Sequence, residues 1–112
     1  MTTTTLSQTF TALGDVTRLA ILMRLLEGPA SVGDLSRPFS ISAPAISRHL
    51  KILETAGLIQ RVRDQQHWIC SIRREGFEEA SAWIEQYRQS WDQQFDALDR
   101  QLKARKVGHE QK

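Results

Sequence analysis

Cysteine occurs once in the 112 residues, at Cys70. A lone thiol excludes an intramolecular disulfide framework and fits a reducing compartment, so a cytoplasmic location is expected. The longest apolar run, around Leu19 to Leu26, is broken by Arg24 and falls far short of the roughly 20 residues of a membrane span. Met1 to Thr5 carry neither a positive charge nor an apolar stretch, so no signal peptide is expected. Internal repeats and low-complexity tracts are absent beyond the threonine-rich start. Enzymatic signatures are missing as well: there is no nucleophile elbow, phosphate-binding glycine loop or His-Glu-x-x-His string. Membrane, secreted and catalytic readings are set aside on these grounds.

What remains is an ordinary globular composition, 40% hydrophobic and 25% charged in 12.8 kDa. That supports one domain over residues 1–112 with a single modest core. Its ordered part is expected over 6–103, with 1–5 and 107–112 flexible.

The net charge of +2 conceals a polarity. Between Arg37 and Arg74, seven basic residues face only Glu54 and Asp64, a balance of +5. From Glu75 to Asp99, seven acids face only Arg88, a balance of −6. One surface for a polyanion and another that repels it would produce this pattern, and so would two merely solvated faces.

The spacing predicts a short helix over Ser7 to Leu13, ending at Gly14. Asp15 caps a second helix reaching about Glu27, where Leu19, Leu22, Met23 and Leu26 form a stripe that Ile21 and Leu25 widen. Ser31 caps a third helix, Val32 to about Arg37, closed by Pro38. Ser42 caps a fourth, with Pro44 tolerated in its first turn. Ile46, Leu50 and Leu53 form its buried stripe, so Pro44, Ser47, Arg48, Lys51 and Thr55 face outward. Ala56-Gly57 ends it. Leu58 to Arg63 and His67 to Ile72 read as a β-hairpin. Its turn lacks glycine, so a loop looser than a tight two-residue turn is expected. From about Glu75 to Ala104 a long helix repeats Phe77, Ile84, Trp91 and Leu98 every seven residues, with Ala80, Tyr87, Phe95 and Leu102 flanking them.

The resulting class is mainly α with a β-hairpin: a winged helix-turn-helix with a long C-terminal dimerisation helix. A helix fits the major groove of B-DNA, and residues near its N-terminus reach base edges. Ser42, Ala43, Pro44, Ser47, Arg48 and Lys51 would meet DNA there. Arg61, Arg63 and His67 lie where a wing would touch phosphates or the minor groove.

Three strings then resemble the ArsR family of bacterial winged-helix repressors. Phe10-Thr11-Ala12-Leu13-Gly14-Asp15-Val16-Thr17-Arg18 is similar to that family's F-x-A-L-x-D-P-T-R, with Val16 in place of the usual proline. Ser42-Ala43-Pro44-Ala45-Ile46-Ser47-Arg48-His49-Leu50-Lys51-Ile52-Leu53, followed by Ala56-Gly57-Leu58-Ile59, resembles its recognition helix and first wing strand. Trp83-Ile84-Glu85-Gln86-Tyr87-Arg88-Gln89-Ser90-Trp91, followed by Leu98-Asp99, is similar to a subgroup with Y-R-x-x-W in the last helix. The resemblance implies a homodimer joined through the first and last helices. On the first helix the resemblance points to Phe10; independently, a long helix bearing Phe77, Trp83, Ile84, Tyr87, Trp91, Phe95 and Leu98 offers more large apolar surface than a small domain covers by itself. Burying such side chains across a two-fold axis contributes about 25 cal/mol per Å².

Metal sensing is known in this family, in a cysteine pair before the recognition helix or a histidine-carboxylate set on the last helix. Here the first location reads Ser31-Val32-Gly33-Asp34-Leu35-Ser36, and the last helix offers Glu85, Asp92, Asp96 and Asp99 with no histidine before His109. Zinc and softer metals require nitrogen or sulfur ligands, so no metal and no other cofactor is expected. Cys70 reads as a small packed residue, with a thiol switch favoured by Arg73 as the alternative. His49 packs near the turn of the motif or touches a base; His67 faces solvent or a phosphate. Trp83, Tyr87 and Trp91 belong to packing, or else to a small-molecule pocket. Ser47 and His49 point in different directions and form no catalytic pair. The expected protein is thus a homodimeric repressor of double-stranded DNA with a palindromic operator and an unknown inducer. The alternatives are a protein-binding winged helix and a thiol- or ligand-responsive repressor.

Overall fold

The computed structural model describes the backbone of residues 3–110 and the side chains of residues 3–106. In chain order it contains α1 (Thr3–Leu13), α2 (Val16–Leu25), β1 (Ala30–Ser31), α3 (Val32–Ser36), α4 (Ala43–Thr55), β2 (Ile59–Asp64), β3 (His67–Ile72) and α5 (Arg74–Glu110). One compact unit ends at Ala80 and a second begins at Ser81. The first holds every element before α5 and the opening turns of α5; the second is the remainder of that helix.

Helix starts are fixed by side-chain caps. Asp15 accepts from the Arg18 amide, Ser31 from that of Asp34 and Ser42 from that of Ala45, satisfying donors that a first turn leaves without partners. At the other end of α4, the Gly57 amide donates to the Glu54 carbonyl and the Leu58 amide to that of Leu53. Gly57 adopts φ 76, the left-handed conformation that this termination requires. It turns the chain directly into β2.

The sheet is antiparallel in the order β1-β3-β2. The hairpin runs in register from Ile59 opposite Ile72 to Asp64 opposite His67. This leaves only Gln65 and Gln66 to turn the chain, so the looser loop expected from the missing glycine is corrected. Gln65 accepts φ 58, at a cost of roughly 1 kcal/mol, because the ladder sets the register and overrides the local preference. The Arg63 Nε also donates to the Gln65 carbonyl at 3.2 Å. β1, with Ala30 opposite Cys70, was not foreseen: two residues are too few to show an alternation.

Ile21, Leu35, Ile46, Leu50, Leu53, Leu58, Ile59 and Cys70 form the fully buried core. Ile46, Leu50 and Leu53 face inward as their spacing predicts. The stripe on α2 is corrected: Ile21, Leu22 and Leu25 are buried, whereas Leu19, Met23 and Leu26 are exposed. This helix is apolar nearly all round, so its sequence does not choose a side. Packing on α4 and β3 does.

α1 begins at Thr3, before the expected Ser7, and the α5 backbone stays helical to Glu110, beyond the expected Ala104. Of the ends expected to be flexible, residues 3–5 are therefore helical, as is the backbone of 107–110; Met1, Thr2, Gln111 and Lys112 lie outside the described residues. Gly76, in the first turn of α5, packs so closely that a Cβ there would overlap the Gly57 carbonyl. No helix among the described residues is long and apolar enough to cross a membrane.

Candidate nucleic-acid interface

α4 is amphipathic because its apolar residues recur at i, i+4 and i+7, which fixes what the opposite face presents. Ser42, Ala43, Pro44, Ser47, Arg48 and Lys51 are all exposed on it. The Ser42 hydroxyl is engaged as the cap, 3.2 Å from the Ala45 amide. Arg48 makes no hydrogen bond or ion pair among the described residues. Lys51 Nζ lies 3.8 Å from a Glu54 oxygen with most of its side chain in solvent, so it is only weakly held.

The wing differs from expectation at Arg61. Its Nε and Nη2 donate to the two carboxylate oxygens of Glu54, each at 3.1 Å. This hydrogen bonding holds the Glu54 carboxyl below its usual range, although burial opposes it, and raises Arg61. Arg61 is thus not the free cation its place on the strand suggested. The cause lies seven residues earlier, in the last turn of α4, which the Gly57 termination folds back against β2. Arg63 and His67 are exposed. The Arg63 guanidinium lies 5.4 Å from the centre of the Trp68 ring, and that of Arg61 5.9 Å. The strand register puts Arg63 opposite Trp68.

A cleft of about 370 Å³ lies between α4, the start of α3 and the wing, lined by Ser47, Ser31, Gly33, Arg61, His67 and Trp68 among others. It brings Ser47, Arg61 and His67 to one place. Glu54 and Trp68 were missed as parts of this surface. An acid on a cationic helix, seven residues before a strand arginine, was the available signal for Glu54.

The residues expected to join two copies divide into two groups. Phe77, expected at the dimer interface, is half-buried and packs against the core of the first unit. Phe10, on α1, is 38% exposed. In the second unit, Trp83 lies 5.2 Å from Tyr87 and 5.9 Å from Trp91, centre to centre. Ile84, Tyr87, Trp91, Phe95 and Leu98 are exposed.

Cys70 is fully buried opposite Ala30 and Arg61. Burial pushes its thiol up, and the charge of Arg61 offsets this only in part. The charges acting on the thiol are Arg61, which lowers it, and Glu54, which raises it, not the expected Arg73. His49 is half-buried, with Nδ1 3.2 Å from Arg18 Nη1. Among the described residues no three His, Cys, Asp or Glu side chains are grouped to hold a metal.

Two helices joined by a turn, a cationic exposed face on the second and a three-stranded sheet ending in a hairpin define a winged helix-turn-helix protein. Comparison with known proteins narrows this class. Residues 15–61 match the model described as bacterial regulatory protein, arsR family. The transcriptional repressor SdpR of Bacillus subtilis is 34% identical over 79 residues, 70% of this chain and 88% of SdpR. The HTH-type transcriptional regulator Rv2034 of Mycobacterium tuberculosis is 54% identical over 48 residues, 43% of this chain. That match spans only 45% of Rv2034. A crystal structure of an ArsR family transcriptional regulator superposes with a TM-score of 0.77 at 34% identity, covering 82% of this chain and 95% of that one. The chain belongs to the ArsR family and is a transcriptional regulator, not an enzyme.

Proposed function

We propose that the protein is a homodimeric repressor that docks α4 in the major groove of an imperfectly palindromic operator. The observation carrying this reading is the exposed Ser42, Ala43, Pro44, Ser47, Arg48 and Lys51 face on a helix whose opposite side is fully buried. Short serines permit close approach to base edges. Arg48 reads a guanine or meets a phosphate, and Lys51 meets a phosphate. Arg63 and His67 act from the wing on the DNA backbone, and Arg61 serves mainly as the strut that Glu54 holds. Such a protein works in the cytoplasm, beside the DNA. A protein-binding role has less support, because protein interfaces deplete lysine and enrich aromatics.

The dimer reading rests on α5. Ile84, Tyr87, Trp91, Phe95, Leu98 and Leu102 are exposed at heptad-like spacing along one side, a seam suited to another helix. The partner is a second copy, joined through this seam and Phe10 of α1, which presents two α4 helices about one DNA turn apart. Tyr87-Arg88 and Trp91 support placement in the subgroup with Y-R-x-x-W in the last helix. A thiol-responsive variant loses support, since burial disfavours the Cys70 thiolate. Footprinting the DNA upstream of the protein's own gene tests the reading. A protected, two-fold symmetric site is expected; salt-insensitive or absent binding would remove α4 from this role.

A further inference from the structure

We infer that Arg18 is a positioning residue for the recognition helix, acting through His49. This rests on the reading of α4 as the DNA-contacting helix.

Arg18 lies in the first turn of α2, and its amide is tied to the Asp15 carboxylate at 3.0 Å. Its side chain turns back over the end of α1. There Nε donates to the Ala12 carbonyl at 2.8 Å and Nη2 to the Thr11 carbonyl at 3.1 Å, both in the last turn of α1, where carbonyls have few helical partners. The remaining Nη1 meets His49 Nδ1 at 3.2 Å. An arginine nitrogen only donates, so in this contact Nδ1 is the acceptor. One planar fork thereby joins α1, α2 and α4.

Besides this bond and the Asp15 carboxylate, 3.7 Å from the same Nδ1, α4 is held by its apolar stripe. Ile46, Leu50 and Leu53 hold the helix down, but burial is non-directional and tolerates rotation about the helix axis. A hydrogen bond to a half-buried ring on the flank of that stripe does not. Since His49 directly follows Arg48 and lies two residues beyond Ser47, the rotation it sets is the rotation at which those side chains meet base edges. Lysine in place of Arg18 keeps the charge but loses the fork, so it would not satisfy three acceptors in fixed geometry.

The test uses the full chain and an operator duplex selected by the wild-type protein from a random library, with a scrambled duplex of equal length beside it. Arg18→Lys and His49→Leu are expected to lose roughly tenfold in operator affinity, the scale of one good base contact, while scrambled-duplex affinity stays within about twofold. His49→Asn, whose amide oxygen takes the place of Nδ1, restores the preference. Arg18→Lys and His49→Leu proteins that melt cooperatively and keep the wild-type preference would overturn the inference, as would a His49→Asn protein that binds the operator no better than His49→Leu. A wild-type protein that selects no duplex would instead overturn the DNA-binding reading, and this inference with it.

Discussion

Glu54 in the last turn of α4 and Arg61 on β2 form a two-point ion pair, both bonds 3.1 Å long, that ties α4 to the base of the hairpin. An arginine committed in this way contributes geometry more than phosphate contact. Arg61→Gln is expected to lower stability by about 1 kcal/mol, the scale of a partly screened ion pair, while leaving the slope of log affinity against log salt unchanged. A slope shallower by about 1 unit would instead identify Arg61 as a phosphate contact. The pair also has a pH signature. The folded-state pKa of Glu54 is depressed chiefly by the Arg61 hydrogen bond, so its stabilisation is complete above the ordinary value of 4.5 and disappears as pH falls through the lower folded value. Melting temperatures measured from pH 6 to pH 3 should fall less steeply in Glu54→Gln than in wild type.

Arg48 and Lys51 are the cations that α4 leaves in solvent. Arg48→Ala and Lys51→Ala should each weaken operator binding, and each lost phosphate contact should flatten the salt slope by about 1 unit. Ser47→Ala should leave the slope unchanged and relax base preference at one position in each half-site. Fluorescence anisotropy over a salt series checks the first pair, and selection from a randomised operator checks the third. Wild-type affinity in both alanine variants would deny α4 its contact role.

Phe95 is 67% and Trp91 40% exposed in a single copy, so polar residues there should not disturb the fold of the chain. Across a two-fold seam the same changes bury a charge. Phe95→Glu and Trp91→Glu should therefore raise the dimer dissociation constant by 30-fold or more, the scale of an interface hot spot of about 2 kcal/mol, and weaken operator binding with it. Sedimentation velocity as a function of concentration reads this out. Unshifted dimers in both variants would move the interface elsewhere.

Cys70 is shut in the core, and burial disfavours its thiolate. Iodoacetamide at pH 8 should label native protein only as fast as the fold opens, and unfolded protein at once. Peroxide should leave operator binding unaltered in wild type. Release that is abolished in Cys70→Ser would make the thiol a sensor after all.

The helices and wing strands were legible because their signals are local. Serine and aspartate caps, the Ala56-Gly57 stop and the Ile46, Leu50, Leu53 spacing each act within a turn or two, and the outward face of α4 follows from that stripe by geometry. The orientation of α2 was not legible, since Leu19 and Met23 are as apolar as Ile21 and Leu25 and only the packed partners discriminate between them. β1 exists solely through its pairing with β3. The two-residue turn at Gln65 opposed its own local preference.

The sequence by itself determined which residues α4 exposes, the seven-residue apolar repeat of α5 and the separation of basic from acidic stretches, because periodicity and capping require only near neighbours. Tertiary structure alone decided that Arg61 is bound by Glu54, that Arg18 reaches His49 across 31 residues and that Phe77 packs against the core. Those outcomes depend on where separate elements come to rest against one another, and no stretch of chain shorter than the fold contains that information.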